Sequence, residues 1–206
     1  CCAGLDLAIT RDMSALALVF PYQEERFRVL IWFFMAEAGI RRLASRIPHI
    51  HDWARQGHII STPGETTDYR FIKRMFAEKA QKFAISQLIF DAYCAEQLTQ
   101  EISEETGVER LKMPQVASRY NEPTQNFERI VLERKFEHNG NPVLTWQAGH
   151  VTIRTDHNGN QMPMKPERDA EKKIDGIAAV LMAYAGARSA DSEEAWFKRV
   201  GGLRDK

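Results

Sequence analysis

The sequence predicts a mixed α/β domain: an antiparallel meander of three strands continued by parallel strands, flanked by helices and carrying a small β-hairpin insertion. Three observations predict it. Short apolar or alternating stretches broken by tight polar turns fill the first 36 residues. Helical periodicities then alternate with short apolar strands, and a long apolar helix follows them. Strands first, then alternating helices and strands, mean a mixed sheet covered by helices.

Taken in order, Ala3, Leu5, Leu7 and Ile9 alternate with Gly4, Asp6, Ala8 and Thr10, the period of a strand. Arg11-Asp12 makes a polar turn, Ser14 to Phe20 reads as a second strand, and Phe27 to Met35 reads as a third after the Pro21 to Glu25 loop. Short connections make these a meander. From Ala38 to Gln56 the residues Ile40, Leu43, Ala44 and Ile47 fall on one side of a helix that Pro48 kinks and Gly57 ends. His58 to Ser61 is a short extended piece before the Thr62-Pro63-Gly64 turn. Asp68 is placed to cap a helix running to Phe83, with Phe71, Ile72, Met75 and Phe76 as its apolar stripe. Ile85 to Phe90 is an apolar strand ending at Asp91. A helix from Ala95 to Thr106, a stop at Gly107 and a strand from Val108 to Met113 complete a β-α-β unit. Pro114 to Thr124 reads as irregular, and Asn126 to Glu137 as a helix. Val151 to Thr155 with Gln161 to Met164 reads as a hairpin around Asp156-His157-Asn158-Gly159. Ile174, Ile177, Ala178, Leu181, Met182 and Ala185 recur at helical spacing in a helix from Asp169 to Ala185.

A length of 206 residues suits one domain with a sizeable core. The 28 basic residues balance 28 acidic ones, which excludes a protein wrapped in nucleic acid on all sides but not binding through one basic face. Cys1, Cys2 and Cys94 form no CxxC pair, the usage of a reduced, intracellular compartment. The apolar run from Val29 to Ala36 falls far short of the roughly 20 residues that span a membrane. Asp6 interrupts the first apolar stretch and no basic segment precedes it, so the start is not a signal peptide. Opening abruptly on a strand, the chain reads as a piece of something longer. There is no GxxxxGK[ST], no HExxH among six histidines, and no nucleophile-elbow context around Ser14, Ser61 or Ser118.

Three acids stand apart from the solvated ones. Asp6 is a lone charge within an apolar strand, Asp91 ends a strand of nearly all apolar residues, and Asp175 sits beside the apolar stripe of the last helix. A carboxylate is costly to bury unless it is paired or binds a cation. Three of them pointing to one place make an all-oxygen site suited to Mg²⁺ or Mn²⁺. Each also has a plainer reading: Asp91 as a helix N-cap, Asp175 as a surface residue paired with Lys172 or Lys173, Asp6 as an uncommon mid-strand aspartate.

Gly4-Leu5-Asp6-Leu7-Ala8 with Asp12 and Ser14-Ala15-Leu16, then Thr62-Pro63-Gly64 with Asp68 and Phe90-Asp91-Ala92-Tyr93, form an ordered set of motifs. It continues in Asn141-Pro142-Val143-Leu144-Thr145-Trp146, in Asn158-Gly159-Asn160 with Lys165, and in Lys173-Ile174-Asp175-Gly176-Ile177-Ala178-Ala179. The set resembles the nuclease domain of tailed-bacteriophage terminase large subunits over nearly the whole chain. Each motif is weak alone, and the ordered set is specific. Ala92 departs from the family's usual proline, Cys94 from a polar residue and His150 from a frequent asparagine, which puts the loop geometry beside Asp91 in doubt.

The resemblance implies an RNase H-like fold and hydrolysis of a DNA phosphodiester by two Mg²⁺ or Mn²⁺ ions. The ions are held by acids of the first strand, the fourth strand and a late helix, which by position are Asp6, Asp91 and Asp175. It implies an endonuclease acting on concatemeric double-stranded viral DNA during packaging in the host cell cytoplasm. The expected partners are the small terminase subunit, the capsid portal and a preceding ATPase domain that this chain lacks. Lys172, three residues before Asp175, is expected about one helical turn from it, pointing toward the acids as a catalytic residue that contacts the scissile phosphate or tunes a metal-bound water. Arg110, Lys112, Arg119, Arg154, Lys165, Arg168 and Lys173 are expected to grip phosphates without reading sequence. The expected division is a nuclease domain over 1–187 and a tail over 188–206, where Glu193, Glu194, Trp196 and Phe197 lie. A rival reading is a non-catalytic DNA-clamping or portal-docking module; a third is a transposase- or resolvase-like relative.

Overall fold

The computed structural model describes residues 1–8, 12–23, 25–166 and 172–189, with backbone only for 92–94 and 189. The meander is present as β1 (Cys2–Asp6), β2 (Ser14–Tyr22) and β3 (Arg26–Ala36). To it are added β4 (Ile59–Thr62), β5 (Gln87–Phe90), β6 (Glu109–Lys112) and β7 (Phe136–His138). The sheet order is β4-β3-β2-β1-β5-β6, with β7 also on β3. Antiparallel pairing holds the meander, and parallel pairing joins β1 to β5, β5 to β6, and β3 to both β4 and β7. This is the expected mixed sheet, an antiparallel meander continued by parallel strands. A separate hairpin, β8 (Thr152–Thr155) and β9 (Gln161–Met164), pairs only with itself.

The sheet is covered on both faces. Along β2, Ala15, Ala17 and Val19 enter one core layer, while Leu16 and Leu18 enter the other. This is the two-residue alternation of a strand buried on both sides. The second layer holds Ile72 and Phe76 of α3 (Tyr69–Lys82) and Leu98 and Ile102 of α4 (Ala92–Thr106). The first is built on α7 (Asp175–Ser189), whose residues from Ile177 to Ala187 are all buried. A helix apolar on every side belongs in the interior.

α7 runs antiparallel to β1, and their repeats match. Four helical residues rise about 6 Å, and two strand residues rise about 6.6 Å. Two residues along β1 therefore span about the same height as four along α7. A Cβ on Gly186 would lie 3.1 Å from Cys2 Sγ, and one on Gly4 would lie 2.0 Å from the Ala179 carbonyl oxygen and 2.7 Å from Ala183 N. Two residues beyond Gly4 and four before Ala179 stand Asp6 and Asp175, which line one pocket, the charge of the second acting on the first.

Several expectations are corrected. The helix expected over Ala38 to Gln56 is two, α1 (Glu37–Leu43) and α2 (Ile50–Arg55), because Pro48 falls in the turn between them. The segment expected to be irregular before Thr124 lies mostly in α5 (Ala117–Leu132), which contains Pro123 and ends before the expected Glu137. Tyr120, Thr124, Phe127 and Ile130 give α5 a stripe against the core, and that packing outweighs the bond Pro123 removes. β7 and α6 (Pro142–Ala148) were not expected. Asn141 caps α6 by accepting from Val143 N at 3.0 Å and Leu144 N at 3.1 Å, with Pro142 at the first turn. α7 starts at Asp175, not at Asp169, which lies outside the described residues.

Candidate functional site

Where β1 and β5 end, their side-by-side chains deliver two acids. Leu5 pairs with Phe90 in the parallel register, so Asp6 and Asp91 follow on adjacent strands roughly 4.8 Å apart. The chain just past Asp6 is pinned by the buried Ser14, whose Oγ accepts from Ala8 N at 3.0 Å, and by Tyr69, whose hydroxyl donates to Ala8 O at 3.3 Å. Asp91 stands at the N-cap of α4 yet makes no side-chain capping hydrogen bond there, so the plain capping role does not account for it. Asp175 opens α7 on the far side. These three acids and Asp12 line one pocket of about 500 Å³, with Gln115, Tyr120 and Lys165.

The electrostatics follow from that crowding. Burial first, then the neighbouring charges of Asp175, Asp91 and Asp12, push the Asp6 carboxyl well above its ordinary value, against a 3.4 Å hydrogen bond from Gln115 Nε2. Burial and then Asp12 raise Asp175 to about 7, with Lys173 opposing. Tyr120 is pushed up by burial, then by Asp6 and Asp91. Lys173 is ion-paired with Asp12, and Lys165 Nζ stands 3.5 Å from Asp12 Oδ2. Four carboxylates against these two ammonium groups leave the pocket short of positive charge. Its donors are oxygens, the chemistry of a site for a hard divalent cation. Among the described residues, no three of His, Cys, Asp and Glu are spaced to hold a metal ion as they stand. The pocket gathers carboxylates without closing them into a ligand set.

The other expected site residues are placed as follows. Lys172 is half-buried in the segment just before α7 and does not line the pocket. The expected one-turn relation to Asp175 is therefore absent, because the helix has not yet begun. Lys173 is 4% exposed and turned inward to Asp12, which removes it from a solvent-facing phosphate track. Arg110 and Lys112 on β6 are both ion-paired with Glu96, at 2.6 Å and 3.2 Å. Arg119 is half-buried in the first turn of α5, and Arg154 is exposed on β8. Arg168, and the tail residues Glu193, Glu194, Trp196 and Phe197, lie outside the described residues. Sequence reasoning treated Asp12 as a turn residue and gave no role to Gln115, Tyr120 or Gln147; only their placement reveals them.

A sequence profile of the family described as "Terminase large subunit, endonuclease domain" matches residues 1–191. The chain belongs to that family. As a terminase endonuclease domain it is similar to protein YmfN of Escherichia coli (strain K12), 27% identical over 208 residues that cover 94% of this chain and 44% of that protein. It is also similar to the terminase large subunit of Enterobacteria phage HK97, 25% identical over 93% of this chain and 38% of that protein. The chain thus spans less than half the length of these relatives. The crystal structure of the HK97 bacteriophage large terminase superposes with a TM-score of 0.78 at 24% identity, over 88% of this chain and 38% of that one. The large terminase nuclease from thermophilic phage G20c, 11% identical, gives 0.57 over 89% of this chain and 80% of that one, and it has also been solved with bound magnesium and with bound cobalt. The fold is therefore that of terminase nucleases, and nuclease activity is what the family implies.

Proposed function

We propose that this domain is a divalent-metal-dependent endonuclease that cuts concatemeric double-stranded viral DNA during genome packaging. The observation that carries the reading is the convergence of Asp6, Asp91 and Asp175 from β1, β5 and α7 on one pocket. A fold that only clamped DNA would gain nothing from acids whose burial, and then whose neighbouring charges, raise the pKa of Asp6 and Asp175. The donor set fits Mg²⁺ or Mn²⁺ in charge and atom type, and the G20c nuclease, alike in fold, has been solved with magnesium and cobalt. Asp6, Asp91 and Asp175 would hold two ions. Such ions activate a water and neutralise charge on the scissile phosphate and the leaving oxygen.

The chain's own residues prepare that site. Gln115 orients the Asp6 carboxylate by donating to Oδ1. Lys173 pairs with Asp12 and offsets part of the charge by which Asp12 raises Asp175. Lys165 at the rim, Arg154 on the hairpin, and Arg119, Arg110 and Lys112 on the side of α5 and β6 are the groups we assign to backbone phosphates; they fix the duplex without reading sequence. Arg168, outside the described residues, is assigned to phosphates on its charge alone. Residues 1–187 would form the nuclease domain, acting in the host cytoplasm with an ATPase domain, the small terminase subunit and the portal. No helix among the described residues is long and apolar enough to cross a membrane.

Incubation with supercoiled plasmid tests the reading: nicking or linearisation with Mn²⁺ and its loss in EDTA are expected. DNA binding without any cleavage would instead favour the clamp.

A further inference from the structure

The two family motifs Asn141-Pro142-Val143-Leu144-Thr145-Trp146 and Lys173-Ile174-Asp175-Gly176 are far apart in sequence and meet through one side chain just past the first of them, Gln147. Gln147 lies near the end of α6, is 0% exposed, and reaches the start of α7. Gly176 N donates to its Oε1 at 2.6 Å. A backbone N–H can only donate, so the oxygen must face Gly176 and the amide nitrogen must face the other way. That nitrogen, Nε2, lies 3.4 Å from Asp175 Oδ2 and 3.7 Å from Met13 Sδ. The amide orientation is thus fixed by the backbone of α7, and its donor is aimed at the carboxylate of the residue before.

Space enforces the arrangement. A Cβ on Gly176 would lie 2.6 Å from the Phe33 ring and 2.9 Å from Gln147 Oε1, so the glycine is what lets the amide approach. Met13 follows Asp12 in the chain, and the same amide therefore touches the two segments that carry Asp12 and Asp175.

We infer that Gln147 is a positioning residue of the acid site, holding the Asp175 carboxylate in the orientation in which it receives a divalent cation. This rests on the metal-dependent reading above. A hydrogen-bond partner that orients a ligand typically changes metal affinity or activity 10–100-fold when it is lost.

The test measures Mn²⁺ binding to the 206-residue chain from the loss of the free-ion EPR signal, without DNA. Gln147→Met removes the donor, and its Mn²⁺ dissociation constant is expected to rise 10–100-fold. Asn141→Ala, which strips the cap of α6 and lowers stability without touching the amide, is expected to stay within about threefold of wild type by the same scale. Gln147→Glu keeps an acceptor for Gly176 N and turns an oxygen toward Asp175; cleavage at saturating Mn²⁺ is expected to fall at least about 10-fold. If Gln147→Met does not fold, Gln147→Glu decides. Wild-type affinity in Gln147→Met, or a wild-type rate in Gln147→Glu, overturns the inference. An Mn²⁺ affinity that falls equally in Asn141→Ala overturns it too, since that marks general loosening. If the wild-type chain takes up no Mn²⁺, the metal-dependent reading itself fails and this inference falls with it, an outcome distinct from variants that match a wild type that binds.

Discussion

Gly4 and Ala179 touch backbone to backbone: a Cβ on Gly4 would begin 2.0 Å from the Ala179 carbonyl oxygen. Neither partner can yield, because one is in the middle of a paired strand and the other in a buried helix. This contact fixes the height of α7 over β1, and with it the meeting of Asp6 and Asp175. Gly4→Ala is expected to destabilise the domain by about 3 kcal/mol or more, at the upper end of overpacking costs. Urea unfolding checks it, and a change below about 1 kcal/mol would show that α7 can shift at little cost.

Cation choice follows from an all-oxygen site. Plasmid cleavage is expected with Mn²⁺ or Mg²⁺, which accept short bonds of about 2.0–2.1 Å for Mg²⁺, and to be weak or absent with Ca²⁺, whose bonds run about 2.3–2.6 Å. Asp6→Asn is expected to abolish cutting. Gel analysis of the plasmid products decides; robust cutting by Asp6→Asn or in EDTA contradicts the mechanism.

Metal-free stability carries the mark of Asp175. Its pKa is raised from 3.8 to about 7, so the folded state holds this proton more tightly than the unfolded chain. The stability from that preference is fully present below about pH 4 and is lost as pH climbs through 7. Asp6, also raised, acts in the same direction. Asp175→Asn keeps an oxygen for Gln147 and sheds the charge. In EDTA at pH 8 it is expected to be more stable than wild type by on the order of 1–3 kcal/mol, with the difference vanishing near pH 4. Denaturant titrations at the two pH values measure this; a variant less stable at pH 8 is the contrary result.

Arg154 is exposed on β8, in the hairpin whose other strand contributes Met162, Pro163 and Met164 to the wall of the acid pocket. Arg154→Ala is expected to weaken duplex binding equally for unrelated sequences and to reduce the salt slope of the affinity by about one. Fluorescence anisotropy over a salt titration reads both; an unchanged slope removes Arg154 from the DNA track.

Much of the fold was legible because local chemistry and tertiary context agree. Asp68 caps α3 by accepting from Arg70 N at 3.0 Å, and Gly107 ends α4 in the left-handed region at φ 72°. Asp6 and Asp91 stood out because strand interiors and apolar strand ends seldom carry charge. The illegible parts were those in which long-range packing overrides a local signal. Pro123 reads as a breaker, yet α5 continues through it against α7. β7 has three residues and exists because the start of β3 offers it an edge. Asp12 looks like any turn residue until Lys173 closes on it, and Gln147 has no mark in the sequence because its partners are 28 and 29 residues away.

The ladder of β1 against α7 has a consequence for when the site comes into being. Its acids come from β1, β5 and α7, well separated in sequence, and the helix that bears Asp175 also packs against Gly4. During synthesis, the strands carrying Asp6 and Asp91 can pair long before residue 175 has left the ribosome. A nascent or truncated chain therefore displays two of the acids beneath an uncovered sheet face, with neither the third carboxylate nor the inner wall that crowds them. The pocket takes its form only when α7 docks on the sheet, so its assembly waits on the helix that carries Asp175.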